Sequence, residues 1–261
     1  MPRLASITTQ SFTGIAVSGG VKLVEDFIEA ETVSLSGVTQ ITGIHAGQNG
    51  SWIHACTDGD IRQFATVSPY VITGMTLDVT FDPTTNANGA ATTGGVNWDA
   101  SGRNYYFCCA SQIEQYSVPT GQEYDIDNRL SIESNKLSVT NPGCIQMAPD
   151  DVTVLIAFGS SIDQYDIDPF FVRSIANATA TGDSLSVANC VACAYYDSGE
   201  SLLVLQTNGV VTQYTLNTAY SIADGTSVAS TLNTGLTGAT GITVANNYMY
   251  VSQGTSIRRY A

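Results

Sequence analysis

Two histidines and six cysteines are the residues of this chain best suited to nucleophilic or proton-transfer chemistry. His45 and His54 are the only imidazoles, and His54 stands two positions before Cys56. Residues two apart on a strand share a face, so His54 could activate the Cys56 thiol as a base activates a nucleophile. The match is to a generic pair and not to a family signature; buried, satisfied side chains account for it more simply. Cys190 and Cys193 form a Cys-x-x-Cys, a spacing used for redox or metal chemistry. On a strand, residues three apart point to opposite faces, as do the adjacent Cys108 and Cys109. Neither pair is therefore expected to chelate or bridge, and with Cys144 all six read as small apolar groups inside predicted strands.

Acidic turns offer a second chemistry. Asp58-Gly59-Asp60, Asp125-Ile126-Asp127-Asn128 and Asp166-Ile167-Asp168 resemble fragments of calcium loops, but none has the full Asp-x-Asp-x-Asp-Gly-x5-Glu ligand set. Turn formation explains them. No dinucleotide fingerprint, P-loop or Gly-x-Ser-x-Gly elbow is present. The expectation is a non-enzyme with no metal and no cofactor.

The elements that carry these residues repeat. Short strands opening on a branched apolar residue recur at Val21-Lys22-Leu23-Val24, Ile61-Arg62-Gln63-Phe64, Ile113-Glu114-Gln115-Tyr116, Ile162-Asp163-Gln164-Tyr165, Val211-Thr212-Gln213-Tyr214 and Ile257-Arg258-Arg259-Tyr260, spaced by 40, 52, 49, 49 and 46 residues. Turn signals precede them, such as Asp58-Gly59 and Asn208-Gly209, and a second kind of turn lies one strand earlier, as in Trp98-Asp99-Ala100-Ser101-Gly102 and Tyr196-Asp197-Ser198-Gly199. A period of 40 to 50 residues built from short strands predicts an all-β fold, a β-propeller with one four-stranded antiparallel blade per repeat. Six blades are expected in a single domain over residues 1–261. Five is the alternative if residues 1–42 form an appendage. The chain ends on a third strand, so an N-terminal strand, roughly Leu4 to Thr9, is expected to close the last blade and cover its edge.

Aligning the innermost strands places His45, Asn97, Gln146, Ala192 and Thr243 in one ring around the axis. That ring has no carboxylate, which disfavours a metal-dependent hydrolase centre. A third corner carries the aromatics Tyr70, Tyr124, Phe170 and Tyr220. They can be read as an interaction rim, or as packing between blades.

Composition narrows the partners. Only 12% of residues are charged, with 23 acidic against 9 basic residues and a net charge of −14. Neutralising phosphates requires clustered Lys and Arg, and here the basic residues are scattered; nucleic acid and anionic membrane are not expected as partners on that ground. The N-terminus lacks the apolar core of a signal peptide and no run approaches the 18 apolar residues of a membrane span.

The repeat, written as apolar-x-Gln-Tyr-x-Leu-x-Thr-Ala-Tyr-Ser-Ile over Val211 to Ile222, resembles the propeller repeats of structural proteins from tailed bacteriophages, the marine ones especially. Ile61 to Ile72 and Ile162 to Val172 follow it loosely, residues 113–126 depart by a longer corner, and residues 21–36 lose both Gln and Tyr. The resemblance implies a non-enzymatic virion component, assembled in the host cytoplasm: a tail, neck or baseplate subunit or a capsid decoration protein. Its partners would be other virion proteins and, through its loops, a host surface receptor. A cellular propeller scaffold binding protein or glycan is the alternative, and a propeller hydrolase or lyase a more distant one.

Overall fold

The computed structural model describes residues 23–47, 49–85, 92–128, 130–167 and 174–261. These residues are all-β, with strands in four antiparallel sheets and helix only as short 3-10 turns. The first strand, β1 (Glu29–Ser34), stands apart from its chain neighbours and joins a sheet built by the C-terminal end. β2 (Ile41–Ala46), β3 (Trp52–Thr57), β4 (Asp60–Ala65) and β5 (Thr76–Phe81) form one sheet in chain order; β6 (Thr92–Trp98), β7 (Asn104–Cys109), β8 (Gln112–Ser117) and β9 (Leu130–Ser138) form the next.

A seven-stranded sheet follows, made of β10 (Cys144–Met147), β11 (Thr153–Ala157), β12 (Gly159–Ile167), β13 (Ala178–Tyr196), β14 (Ser201–Gln206), β15 (Val210–Thr218) and β16 (Ser221–Asn233). It holds two four-strand groups that share one long strand. The first part of β13 pairs mainly with β12, whereas Cys190–Tyr196 pair with β14, and Asn189 between the two parts has a left-handed φ of 56°. The last sheet runs β17 (Ala239–Ala245), β18 (Tyr248–Gln253), β19 (Ser256–Tyr260) and then β1, whose Val33 lies opposite Ile257.

The described strands thus make five four-strand groups. In each, the second strand (β3, β7, β11, β14, β18) is buried along nearly its whole length. A strand covered on both faces reads as a continuous apolar run, as in Tyr105-Tyr106-Phe107-Cys108-Cys109. The fourth strands β1 and β5 instead alternate in exposure. Aromatic pairs knit the second group: Phe81 from the group before lies 5.4 Å from Tyr116, and Tyr105 stacks on Tyr116 at 5.5 Å. Each such pair is worth about 0.5–1.5 kcal/mol beyond the area it buries.

The first strands of the groups touch in a cycle: β2 lies against β6, β6 against β10, β10 against β13, β13 against β17, and β17 against β2. Their approach is close enough to exclude side chains at one level. A Cβ at Gly43 would stand 2.4 Å from the Gly95 Cα.

A second set of contacts follows the same cycle. Gln63 in β4 accepts the Ile126 N–H at 2.9 Å, Gln115 in β8 that of Ile175 at 2.8 Å, Gln164 in β12 that of Ile222 at 3.0 Å, and Gln213 in β15 that of Val24 at 2.7 Å. The Gln of each repeat is therefore a latch from the third strand of one group to the corner of the next. These five-group contacts return to the start through Glu31, which accepts the Ile72 N–H at 2.9 Å.

Two expectations change here. The strand anticipated at Val21–Val24 is no repeat of the others: Val24–Asp26 form a 3-10 turn, the Asp26 carboxylate accepts the Leu23 N–H, and Val21 and Lys22 lie outside the described residues. The strand beside β19 is Glu29–Ser34, while Leu4 to Thr9 lie outside the described residues. Without Gln and Tyr, residues 21–24 lack the groups that make a third strand a latch. Val24 instead supplies the backbone N–H that receives one.

Candidate functional site

The strand cycle surrounds a cavity of about 100 Å³ lined by His45, Asn97, Gln146, Tyr195 and Thr243, room for roughly three waters. Four of the five expected ring residues meet there. Ala192 does not: it is buried three positions earlier on β13, and Tyr195 takes its place. Tyr195 reaches the cavity although it sits one residue off the paired row: Gln146 lies opposite Leu155 and Thr243 opposite Tyr250 in the rows of Gln164 and Arg259, whereas the row of Gln213 holds Ala194 and Leu203, and Tyr195 faces Leu202. The sequence held a better signal than the apolar spacing: Tyr195 precedes Tyr196-Asp197-Ser198-Gly199 as Asn97 precedes Trp98-Asp99.

The ring is a neutral network. The Asn97 amide nitrogen is 3.2 Å from His45 Nδ1 and 3.3 Å from Gln146 Oε1, and the Asn97 oxygen accepts the Met147 N–H at 3.1 Å. An amide nitrogen only donates, so His45 Nδ1 is an acceptor and the ring proton sits on Nε2, which is buried without a partner. Gln146 donates to the Met147 carbonyl at 2.9 Å, and the Tyr195 hydroxyl to the Tyr220 carbonyl at 2.7 Å. Burial, and then the neighbouring His54, hold the His45 pKa down to about 3. His45 is neutral at physiological pH, and a proton added to it has no carboxylate in the ring to balance its charge.

His54 and Cys56 do not form a catalytic pair. His54 Nε2 lies 3.1 Å from Gln63 Oε1 and 3.0 Å from the Tyr124 carbonyl, both acceptors, so Nε2 carries the proton, and Nδ1 makes no hydrogen bond to the thiol. Burial lowers its pKa to about 4, against the opposing pull of Gln63, Tyr124 and Asp125. Burial drives the Cys56 thiol far up, away from the reactive thiolate. Cys108 and Cys109 point to different apolar clusters on the two faces of β7. Cys190 is also buried and its pKa is pushed up to about 12, by burial first.

The acidic turns serve the backbone. Asp58 accepts N–H groups of Thr39 at 2.9 Å and Gln40 at 3.2 Å, with the Thr39 hydroxyl the main cause of its lowered pKa. Asp125 accepts the Asp127 N–H at 2.9 Å. Asp168 lies outside the described residues. Among the described residues no group of three or more His, Cys, Asp or Glu side chains could hold a metal ion.

Three corner aromatics share one geometry that the sequence did not disclose. Tyr70, Tyr124 and Tyr220 have left-handed φ values of 66, 64 and 64°, and each donates its N–H to the carbonyl of a turn glycine: Gly50, Gly102 and Gly199, at 2.9, 2.8 and 2.9 Å. Each ring covers its glycine so closely that a Cβ there would meet it at 2.7, 2.4 and 2.2 Å. These rings pack the first turn of their own group. Phe170 lies outside the described residues.

Beside the ring, a cleft of about 260 Å³ between Tyr220, Pro149, Asp197 and Asn247 shares Tyr195 with the central cavity. Among the described residues no helix is long and apolar enough to cross a membrane.

No family model matches the chain, and no curated protein matches it. A similar solved structure is that of a functionally unknown protein from Desulfotomaculum acetoxidans DSM 771, 12% identical with a TM-score of 0.47 over 89% of this chain. The chain spans 64% of the length of that structure.

Proposed function

We propose that the chain is a five-bladed β-propeller closed by Glu29–Ser34, and that it serves as a rigid, non-catalytic docking disc in the virion of a tailed bacteriophage. The observation that carries the architecture is the unbroken cycle of latches from Gln63, Gln115, Gln164, Gln213 and Glu31 to the backbone of the following group. Each latch satisfies a buried donor that water cannot reach, and such groups are costly to leave unpaired. A ring tied at every joint holds its loops in fixed relation, which is what a docking platform requires.

The non-catalytic reading is supported by the state of the reactive groups. His45 and His54 are held neutral, and burial raises Cys56, Cys108, Cys109 and Cys190 above the usual thiol range. The virion role rests on the resemblance of the Gln-Tyr repeat, whose glutamines are the latches. Tail, neck, baseplate and capsid decoration positions all suit a disc whose partners are other virion proteins or a host surface receptor. Mass spectrometry of purified particles from the phage encoding this chain tests the role: the chain is expected in stoichiometric amount. Its presence in the infected-cell lysate but absence from intact particles would overturn the proposal.

A further inference from the structure

Among the six cysteines, Cys144 and Cys193 stand in a relation that neither the repeat nor the central ring explains. They occupy the level at which the first strands come nearest, the position held by Gly43, Gly95 and Gly241 in the other three groups. Cys144 opens β10 opposite Ala157, Cys193 lies in β13 opposite Val204, and the two strands touch although they belong to different groups. The Cys144 thiol donates to the Cys193 carbonyl at 3.7 Å and to the Ile145 carbonyl at 3.6 Å, so it sits directly against the Cys193 backbone. Both are buried.

We propose that Cys144 and Cys193 are a redox pair that closes to a disulfide, welding the third four-strand group to the fourth. The oxidant is a hydroperoxide. The Cys144 thiolate attacks one peroxide oxygen, the O–O bond breaks, and the departing hydroxide takes the thiol proton as water, leaving Cys144 as the sulfenic acid. The Cys193 sulfur then attacks Cys144 Sγ, the S–O bond breaks, and hydroxide leaves with the Cys193 proton as a second water. Two thiols lose two electrons and the peroxide gains them.

The order of attack follows from the contact. The neighbouring Cys193 side chain holds Cys144 below the usual thiol range against the opposing effect of burial, and Cys193 itself is raised by Cys144 and by burial. Cys144 is thus the first to ionise and Cys193 resolves it. A cavity of about 380 Å³ is lined by Gly143, next to Cys144, and by Cys190 and Val191, on the strand that carries Cys193. Hydrogen peroxide is little larger than the water such a cavity admits.

The test is hydrogen peroxide treatment of the folded full-length protein, alkylation of remaining thiols in denaturant, and peptide mapping without reductant. The expected result is loss of two hydrogens from the intact mass, one cross-linked peptide pair containing Cys144 and Cys193, and a thermal midpoint higher by roughly 10 °C that dithiothreitol reverses. Cys144→Ala and Cys193→Ala should each abolish the cross-link. Six alkylated thiols after treatment would overturn the proposal. So would a cross-link between another pair, or one that forms only after the protein is unfolded; both readings come from the wild-type chain and do not depend on the variants folding.

Discussion

The Glu31 carboxylate is ion-paired with the Arg259 guanidinium while it accepts the backbone N–H groups of Ile72 and Thr73 at 2.9 and 3.0 Å. At the other four joints a glutamine from the third strand does this alone. Here the third strand presents Arg259, which has donors and no acceptor, so β1 interposes a carboxylate between the arginine and the backbone. The final joint therefore needs both ends of the described chain: Glu31 supplies the acceptor and Arg259 holds it in place.

Replacing Glu31 by alanine should destabilise the protein by roughly 2–3 kcal/mol, because it leaves a buried N–H and a partly buried guanidinium without their partner. The pH dependence has a definite sign. Burial alone would raise the Glu31 pKa, but the Thr73 and Ile72 N–H groups and the Arg259 charge outweigh it and lower the value. A depressed carboxylate stabilises the fold fully above its unfolded pKa and loses that contribution as pH falls through the folded one. Urea midpoints of wild type and Glu31→Gln should therefore differ most near neutrality and converge below about pH 4.

Gln213→Met keeps the bulk of the latch and removes its acceptor. Val24 is fully buried, and its N–H would be left without a partner, at a cost of about 1–3 kcal/mol. A chain starting at Leu35 loses this joint and the Glu31 joint together and exposes the edge of β19. It should melt far below either single variant and associate through that edge, which thermal scanning and size-exclusion chromatography would detect.

Much of this architecture was legible because it rests on local rules. Apolar runs in Tyr105–Cys109 and Ser201–Leu205 marked strands covered on both faces, and the recurring Gln-Tyr marked the third strand of each group. What the repeat could not reveal was the use of that Gln, since its partner lies in the next group, 58 to 63 residues away for Gln63, Gln115 and Gln164 and 189 for Gln213. Residues 21–24 imitate the opening of a repeat by the spacing of their apolar side chains, yet Val24 receives the Gln213 latch. Ala192 was misplaced because β13 is one long strand shared by two four-strand groups of the same sheet, and the left-handed Asn189 falls just before the register that counts. The tyrosine corners needed backbone angles, which side-chain types alone do not supply.

Gly199→Ala tests those corners. The new Cβ would meet the Tyr220 ring at 2.2 Å in a backbone of φ 83°, combining left-handed strain with overpacking for a loss of roughly 2–4 kcal/mol. Tyr220→Ala removes the ring and its contact with Tyr195, which sit edge to face at 5.3 Å. The double variant should lose less than the two single losses added, because the clash disappears with the ring and only the strain remains. Strict additivity in chemical denaturation would show that the ring and the glycine do not meet.

The two histidines should give the protein a second, separable response to acid. In the unfolded chain both titrate near about 6.5, whereas in the fold burial holds them near 3 and 4. Between those limits the unfolded state binds more protons, so their contribution is complete above about pH 6.5 and declines as pH falls toward the folded values. Each histidine contributes a slope approaching about 1.4 kcal/mol per pH unit in that window, well above the range where Glu31 acts. His45→Asn and His54→Gln should each flatten the curve between about pH 4 and 6.5 by one histidine's worth, and His54→Gln should also lose the contacts to Gln63 and Tyr124. A wild-type unfolding free energy that stays level from pH 7 to 5 would mean that both imidazoles accept their protons in the folded protein.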